Sequence, residues 1–110
     1  MTKETFLGEF EQMLLLAILR LDAGAYGATL MQELEATVGR RVSRGSVYVT
    51  IDRMEDKGWI ESSASDPRPE RGGRPRRLVR VTAAGVAELR KSREALLRLW
   101  DGLEERLEAP

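Results

Sequence analysis

The sequence predicts a mainly α (α+β) chain: three short helices, one β-hairpin, then a long terminal helix. Three observations carry this. Apolar residues recur at intervals of three and four in four separate stretches. Two short runs, WIESSAS (59–65) and RRLVRVT (76–82), alternate with period two instead, on either side of DPRPERGGRP (66–75), which holds three of the four prolines. The segment VGRRVS (38–43) leaves room only for a tight link between the second and third helices.

The first helix is expected from about Gly8 to Leu21. Leu7, Phe10, Leu14, Ala17 and Leu21 form one apolar stripe, and Met13, Leu15, Leu16, Ile18 and Leu19 widen it. A helix apolar over most of its circumference must be covered on more than one side, and a domain this small implies a partner chain. Gly24 is a plausible stop. The second helix covers Tyr26 to Val38, with Leu30, Met31, Leu34 and Val38 inward and Gly39 closing it. The third begins after Ser43, whose hydroxyl suits the free amides of a first turn, and ends at Gly58. It buries Val47, Ile51 and Met54 and presents Gly45, Ser46, Val49 and Arg53 on the other side. The two alternating runs pair as a hairpin with an arginine-rich tip. Trp59, at its start, is expected in the core.

The final helix is expected from about Ala83 to Leu107, capped by Thr82. Val86, Leu89, Arg93, Leu96, Trp100, Leu103 and Leu107 step by threes and fours as a heptad seam interrupted by Arg93. About 25 residues at 1.5 Å each reach roughly 37 Å, more than the rest of the domain covers. Packing between two chains follows. The chain divides into residues 1–82 and the terminal helix 83–110, within one compact unit.

Composition narrows the function. The 110 residues contain no cysteine and no histidine, which removes thiolate chemistry, the commonest general base and the commonest metal ligand. An enzyme is the least expected class, and no cofactor or metal is called for. The longest apolar run, MLLLAIL (13–19), is too short to span a bilayer, so a cytoplasmic protein with no membrane partner is expected. Formal net charge is zero, but it is unevenly spread. Between Arg40 and Arg80 stand eleven lysines and arginines against six acids; elsewhere seven face twelve. A basic middle between acidic flanks suits a polyanion.

Two short helices on a tight link make a helix-turn-helix, and a hairpin directly after it is a wing. In such an arrangement the second helix of the motif enters the DNA major groove by its N-terminal end. Gly45 and Ser46 would permit close approach to a phosphate, Val49 could meet a thymine methyl, Tyr48 and Thr50 could reach phosphates, and Arg44 and Arg53 phosphate or guanine. Asp52 and Asp56 would repel phosphate, limiting entry to the first two turns. Arg68, Arg71, Arg74, Arg76 and Arg77 would grip phosphates or a narrow minor groove from the wing.

These residues carry a family resemblance over nearly the whole chain. LGEFEQMLLLAIL, AYGATLMQEL, SRGSVYVTIDRMEDKGWI and RGGRPRRLVRVTAAGVAEL, in this order, resemble the first helix, second helix, recognition helix and wing of the short PadR-family bacterial transcriptional regulators. Three positions depart from the family pattern: Leu78 and Val79 stand where aromatics are usual, and Val49 where proline is frequent. The resemblance implies a winged-helix homodimer, joined through the last helix with help from the first, that acts as a repressor on an inverted-repeat operator in double-stranded DNA. Leu15, Leu89, Leu96, Trp100, Leu103 and Leu107 are assigned to the dimer contact. Some members release DNA on binding small aromatic molecules beside a tryptophan of the final helix, where this chain has Trp100. The alternatives are a winged-helix protein-interaction module and a small-molecule-binding protein without direct DNA readout.

Overall fold

The computed structural model describes residues 5–64 and 76–108. The architecture is a winged helix-turn-helix followed by a C-terminal helical arm. Its elements are α1 (Glu9–Leu21), a short 3-10 turn (Asp22–Gly24), α2 (Gly27–Val38), α3 (Arg44–Asp56), β1 (Ile60–Ala64), β2 (Arg77–Val81), α4 (Ala83–Trp100) and α5 (Glu104–Glu108).

Local chemistry sets the helix ends. Glu11 reaches back to accept from the Gly8 amide at 2.9 Å, which opens α1. The hydroxyl of Thr29 accepts from the Tyr26 amide at 3.0 Å and donates to the Gly24 carbonyl at 2.7 Å, so α2 starts one residue after Tyr26. Ser43 caps α3 by accepting from the Ser46 amide at 3.1 Å.

One core joins these elements. Leu14, Leu15, Ala17 and Ile18 of α1 meet Leu30 and Leu34 of α2, Val47, Ile51 and Met54 of α3, and Ile60 and Val79 of the hairpin, all at most 4% exposed. Trp59 is partly buried against this core. The strands pair antiparallel with Ser62 opposite Val79 and Ala64 opposite Arg77. On its other edge β2 is tied to the segment between α1 and α2, where the Val79 amide donates to the Ala25 carbonyl at 3.0 Å. No helix among the described residues is long and apolar enough to cross a membrane.

The wing joins α4 through one compact junction. Thr82 accepts from the Gly85 amide at 3.1 Å, capping α4, and its hydroxyl donates to the Gly58 carbonyl at 2.6 Å. Gly85 is buried so closely that a Cβ there would lie 2.2 Å from the Trp59 carbonyl oxygen and 2.7 Å from Val81 Cγ1. Only a glycine fits, which accounts for the threonine–two residues–glycine spacing.

The terminal helix departs from expectation. It stops at Trp100, turns through Asp101–Leu103 and resumes as the short α5. Gly102 takes φ +81°, which a helix cannot absorb and a side chain disfavours. The leucine spacing ran through this break, so Leu103 and Leu107 do not continue the seam of Leu89, Leu96 and Trp100. Everything from Leu96 to Glu108 is exposed. Leu15 is also corrected: it is fully buried within its own chain and unavailable to a second one, while its neighbours Leu16 and Leu19 are exposed.

Gly85→Ala is expected to cost about 1–3 kcal/mol or more by forcing apart a backbone contact. Urea denaturation of the variant beside the parent checks this; an unchanged midpoint would contradict the tight junction.

Candidate nucleic-acid interface

The outer side of α3 is built by its inner side. Val47, Ile51 and Met54 are at most 1% exposed, which fixes the helix rotation and turns Gly45, Ser46, Val49 and Arg53 to solvent. Val49 is 59% exposed, an unusual setting for a valine. Nothing lies within 4 Å of where a Gly45 Cβ would stand, so this glycine is not required by the fold. Ser43 donates its hydroxyl to Ser46 Oγ at 2.9 Å, which leaves the Ser46 hydroxyl proton pointing elsewhere.

Two expected contacts of α3 are redirected. Thr50 is 6% exposed and donates its hydroxyl to the Ser46 carbonyl at 2.9 Å, a common way for a helical threonine to satisfy itself. It is a core-edge residue and does not reach outward. Tyr48 is half-buried, and its ring lies across α2 where a Cβ on Gly27 would stand 2.5 Å from the phenolic oxygen. The tyrosine therefore holds the two helices of the motif together, and Gly27 makes room for it.

The basic residues sort sharply. Arg40 pairs with Glu9 at 2.8 Å and lies over the Phe10 ring. Arg41 pairs with Glu35 at 3.1 Å, Lys57 with Glu11 at 3.8 Å, and Arg80 with Glu61 at 2.6 Å. Arg76 stacks on Tyr26 at 4.5 Å. In the basic middle, among the described residues, Arg44 and Arg53 are left with no ion pair or ring contact, and both are exposed on α3. Positive charge is thereby concentrated on the face that also carries Gly45, Ser46 and Val49. Arg68, Arg71 and Arg74 lie outside the described residues.

Arg77, expected to grip phosphate, is engaged within the chain. It donates to Asp52 Oδ1 at 2.7 Å, to Glu55 Oε1 at 3.3 Å and to Ser62 Oγ at 3.0 Å. Strand alternation carried the signal for this. Val79 is buried, so Arg77 two residues earlier points to the same inner side. Asp52 and Glu55, three apart on a helix, share the face it meets.

The Ser62 hydroxyl donates to Glu55 and, with Arg77 beside it, holds the Glu55 carboxyl below the ordinary glutamate range. The sign follows directly. A depressed folded value stabilises fully above the unfolded pKa, about 4.3, and the gain fades as pH falls from there through the folded value. An NMR titration of the Glu55 carboxyl carbon is expected to show a midpoint below that of an unstructured glutamate, rising toward it in Ser62→Ala; equal midpoints in both proteins would contradict the contact.

Comparison with known proteins agrees with this geometry. Residues 15–91 match the transcriptional regulator PadR-like family. The chain is 42% identical over 78 residues to the transcriptional regulator Rv3488 of Mycobacterium tuberculosis, covering 71% of this chain and 68% of that protein. A PadR family transcription regulator from Clostridium difficile superposes with a TM-score of 0.72 at 19% identity, over 91% of this chain and 99% of that one. A PadR family transcriptional regulator from Eggerthella lenta superposes at 0.62 with 27% identity, over 90% and 87%. A third helix seated by a buried stripe, a wing tied to it and a glycine-closed junction thus coincide with a family match over most of the chain, which belongs to the PadR-like family of transcriptional regulators.

Proposed function

We propose that the protein is a homodimeric repressor that reads double-stranded DNA through α3. The observation that carries this is the sorting of charge: among the described residues, most basic side chains around the motif are paired, while Arg44 and Arg53 stand unpaired beside a glycine, a serine and an exposed valine. Those side chains match what a major groove offers. Arginine suits phosphate or guanine, valine a thymine methyl, and the small residues allow the helix start to approach a phosphate. Tyr48 acts from behind, packed against Gly27 of α2, while Thr50 satisfies its hydroxyl within α3. An apolar docking module fits less well, because Val49 is the one large apolar side chain on this face.

The dimer reading rests on the apolar side of α1 and α4. Leu16 and Leu19 face Leu96, Leu97 and Trp100 across an open groove of about 490 Å³, and these five are 46–50% exposed. A second copy of the same helices would cover them. An aromatic effector seated beside Trp100 would lie inside that contact and shift how the two recognition helices are spaced. With those helices about 34 Å apart, the operator is an inverted repeat.

Selection from random duplexes at two salt concentrations is expected to return an inverted repeat, with a log-log salt slope of about −5 to −9 for the dimer. Arg44→Ala and Arg53→Ala should each weaken binding and flatten that slope. Gly45→Ala should leave the fold intact or stabilise it by up to about 1 kcal/mol, yet weaken binding. Unchanged affinity in all three variants would sink the assignment of this face. For the dimer, Leu97→Glu is expected to convert the sedimenting species to a monomer with an unchanged helical spectrum; a monomeric parent would refute the contact.

A further inference from the structure

We infer that Arg77 is a positioning residue that clasps the wing to α3, so that recognition helix and hairpin meet a duplex in one fixed relation. The inference deepens the DNA-binding reading above and rests on it.

The apolar attachment of the hairpin is confined to its base. Ile60 and Val79 are buried, with Trp59 and Val81 packed beside them. After Ile60, β1 offers only Glu61, Ser62, Ser63 and Ala64, all exposed, with Ser62 opposite the buried Val79. A two-stranded ribbon is marginal by itself, so its outer end depends on ties to the body. Polar ties supplement the apolar base among the described residues: the Val79 amide donates to the Ala25 carbonyl, Arg76 stacks on Tyr26, the Ser62 hydroxyl donates to Glu55, and the Arg77 fork reaches Asp52, Glu55 and Ser62. Its Nη1 reaches Asp52 at 2.7 Å, its Nη2 reaches Glu55 at 3.3 Å and its Nε reaches Ser62 at 3.0 Å. One planar guanidinium thus binds two acids of α3 and a hydroxyl of the neighbouring strand. Its three directions are set by covalent geometry, so helix and sheet are held in angle as well as in distance. The Arg77 side chain is 32% exposed but Asp52 is 63% and Glu55 40% exposed, so solvent screens the charges and the clasp acts through its geometry.

The position of the clasp links it to readout. Asp52 precedes Arg53 and lies three residues after Val49 on α3. Two carboxylates at this place would repel a phosphate chain, and Arg77 neutralises them while using them as anchors. Position and charge can be told apart because they make opposite demands on Asp52 and Glu55. If these acids merely sequester a phosphate-binding arginine, removing them should raise affinity for every duplex alike. If they anchor the wing, removing them should erode the preference for the right duplex.

The test uses the full chain, a duplex selected from a random library by the parent protein, and a mixed-sequence duplex of the same length. In Arg77→Met and in the double variant Asp52→Asn with Glu55→Gln, the selected-to-mixed affinity ratio is expected to fall about tenfold, the scale of losing one base-pair readout. Amide exchange at residues 61–64 and 78–81 should accelerate in both, with α1 and α2 unchanged. A double variant that binds both duplexes more tightly at an unchanged ratio would overturn the inference, as would unaltered exchange in the hairpin. A parent protein that binds neither duplex would instead remove the DNA-binding reading itself.

Discussion

The burial of Val47, Ile51 and Met54 in the core shared with α1, α2 and the hairpin is the constraint on which the rest depends. These three side chains hold α3 at one rotation about its axis. Once that rotation is set, every exposed residue of the helix has a fixed direction. Tyr48, lying over Gly27, prevents α3 from sliding along α2, and Thr50 closes its own hydroxyl onto the helix. The face that remains is small at its start, apolar at Val49 and basic at Arg44 and Arg53. An exposed valine and two unpaired arginines contribute little to the fold, so this face is free to serve an outside contact.

Charge pairing refines this surface. The basic middle of the sequence is not a diffuse patch. Arg40, Arg41, Lys57, Arg77 and Arg80 are each matched by an acid from another element or the adjoining strand. Exposed pairs of this kind add little stability singly. Their larger effect is to remove competing positive charge from the edges of the motif and to orient the link between α2 and α3. What remains unpaired on α3 acquires directional meaning for an anion.

The far side of the molecule has a separate logic. α1 serves the core with Leu14, Leu15, Ala17 and Ile18 and leaves Leu16 and Leu19 outside. α4 is anchored at its start by the Thr82 and Gly85 junction and by Leu89 against the core, then continues with Leu96, Leu97 and Leu99 exposed. Such a surface is larger than solitary exposed apolar side chains usually make, and it favours burial by association. The exposed face of α3 and the apolar side of α1 and α4 are therefore joined through one shared core.

Much of this was legible in the linear chain. Helix positions, the caps at Ser43 and Thr82, the stop at Gly58, the two strands and the exposed side of α3 all follow from periodicity and local hydrogen-bonding chemistry. These depend on neighbours within a few residues. Even the inward direction of Arg77 was encoded, by alternation with the buried Val79. The break at Gly102 was likewise present as an Asp–Gly pair, but the even spacing of leucines masked it. Other properties had no local signal. Whether Leu15 or Leu16 faced inward depended on how α4 and the hairpin docked on α1. Which arginines were free and which were paired depended on acids as many as 31 residues away, as for Arg40 and Glu9. The linear chain by itself determined which residues form helices and strands, because those hydrogen bonds and periodicities are short-range; only the tertiary structure decided which charges and apolar faces remained unmatched, because that is settled by what distant segments bring into contact.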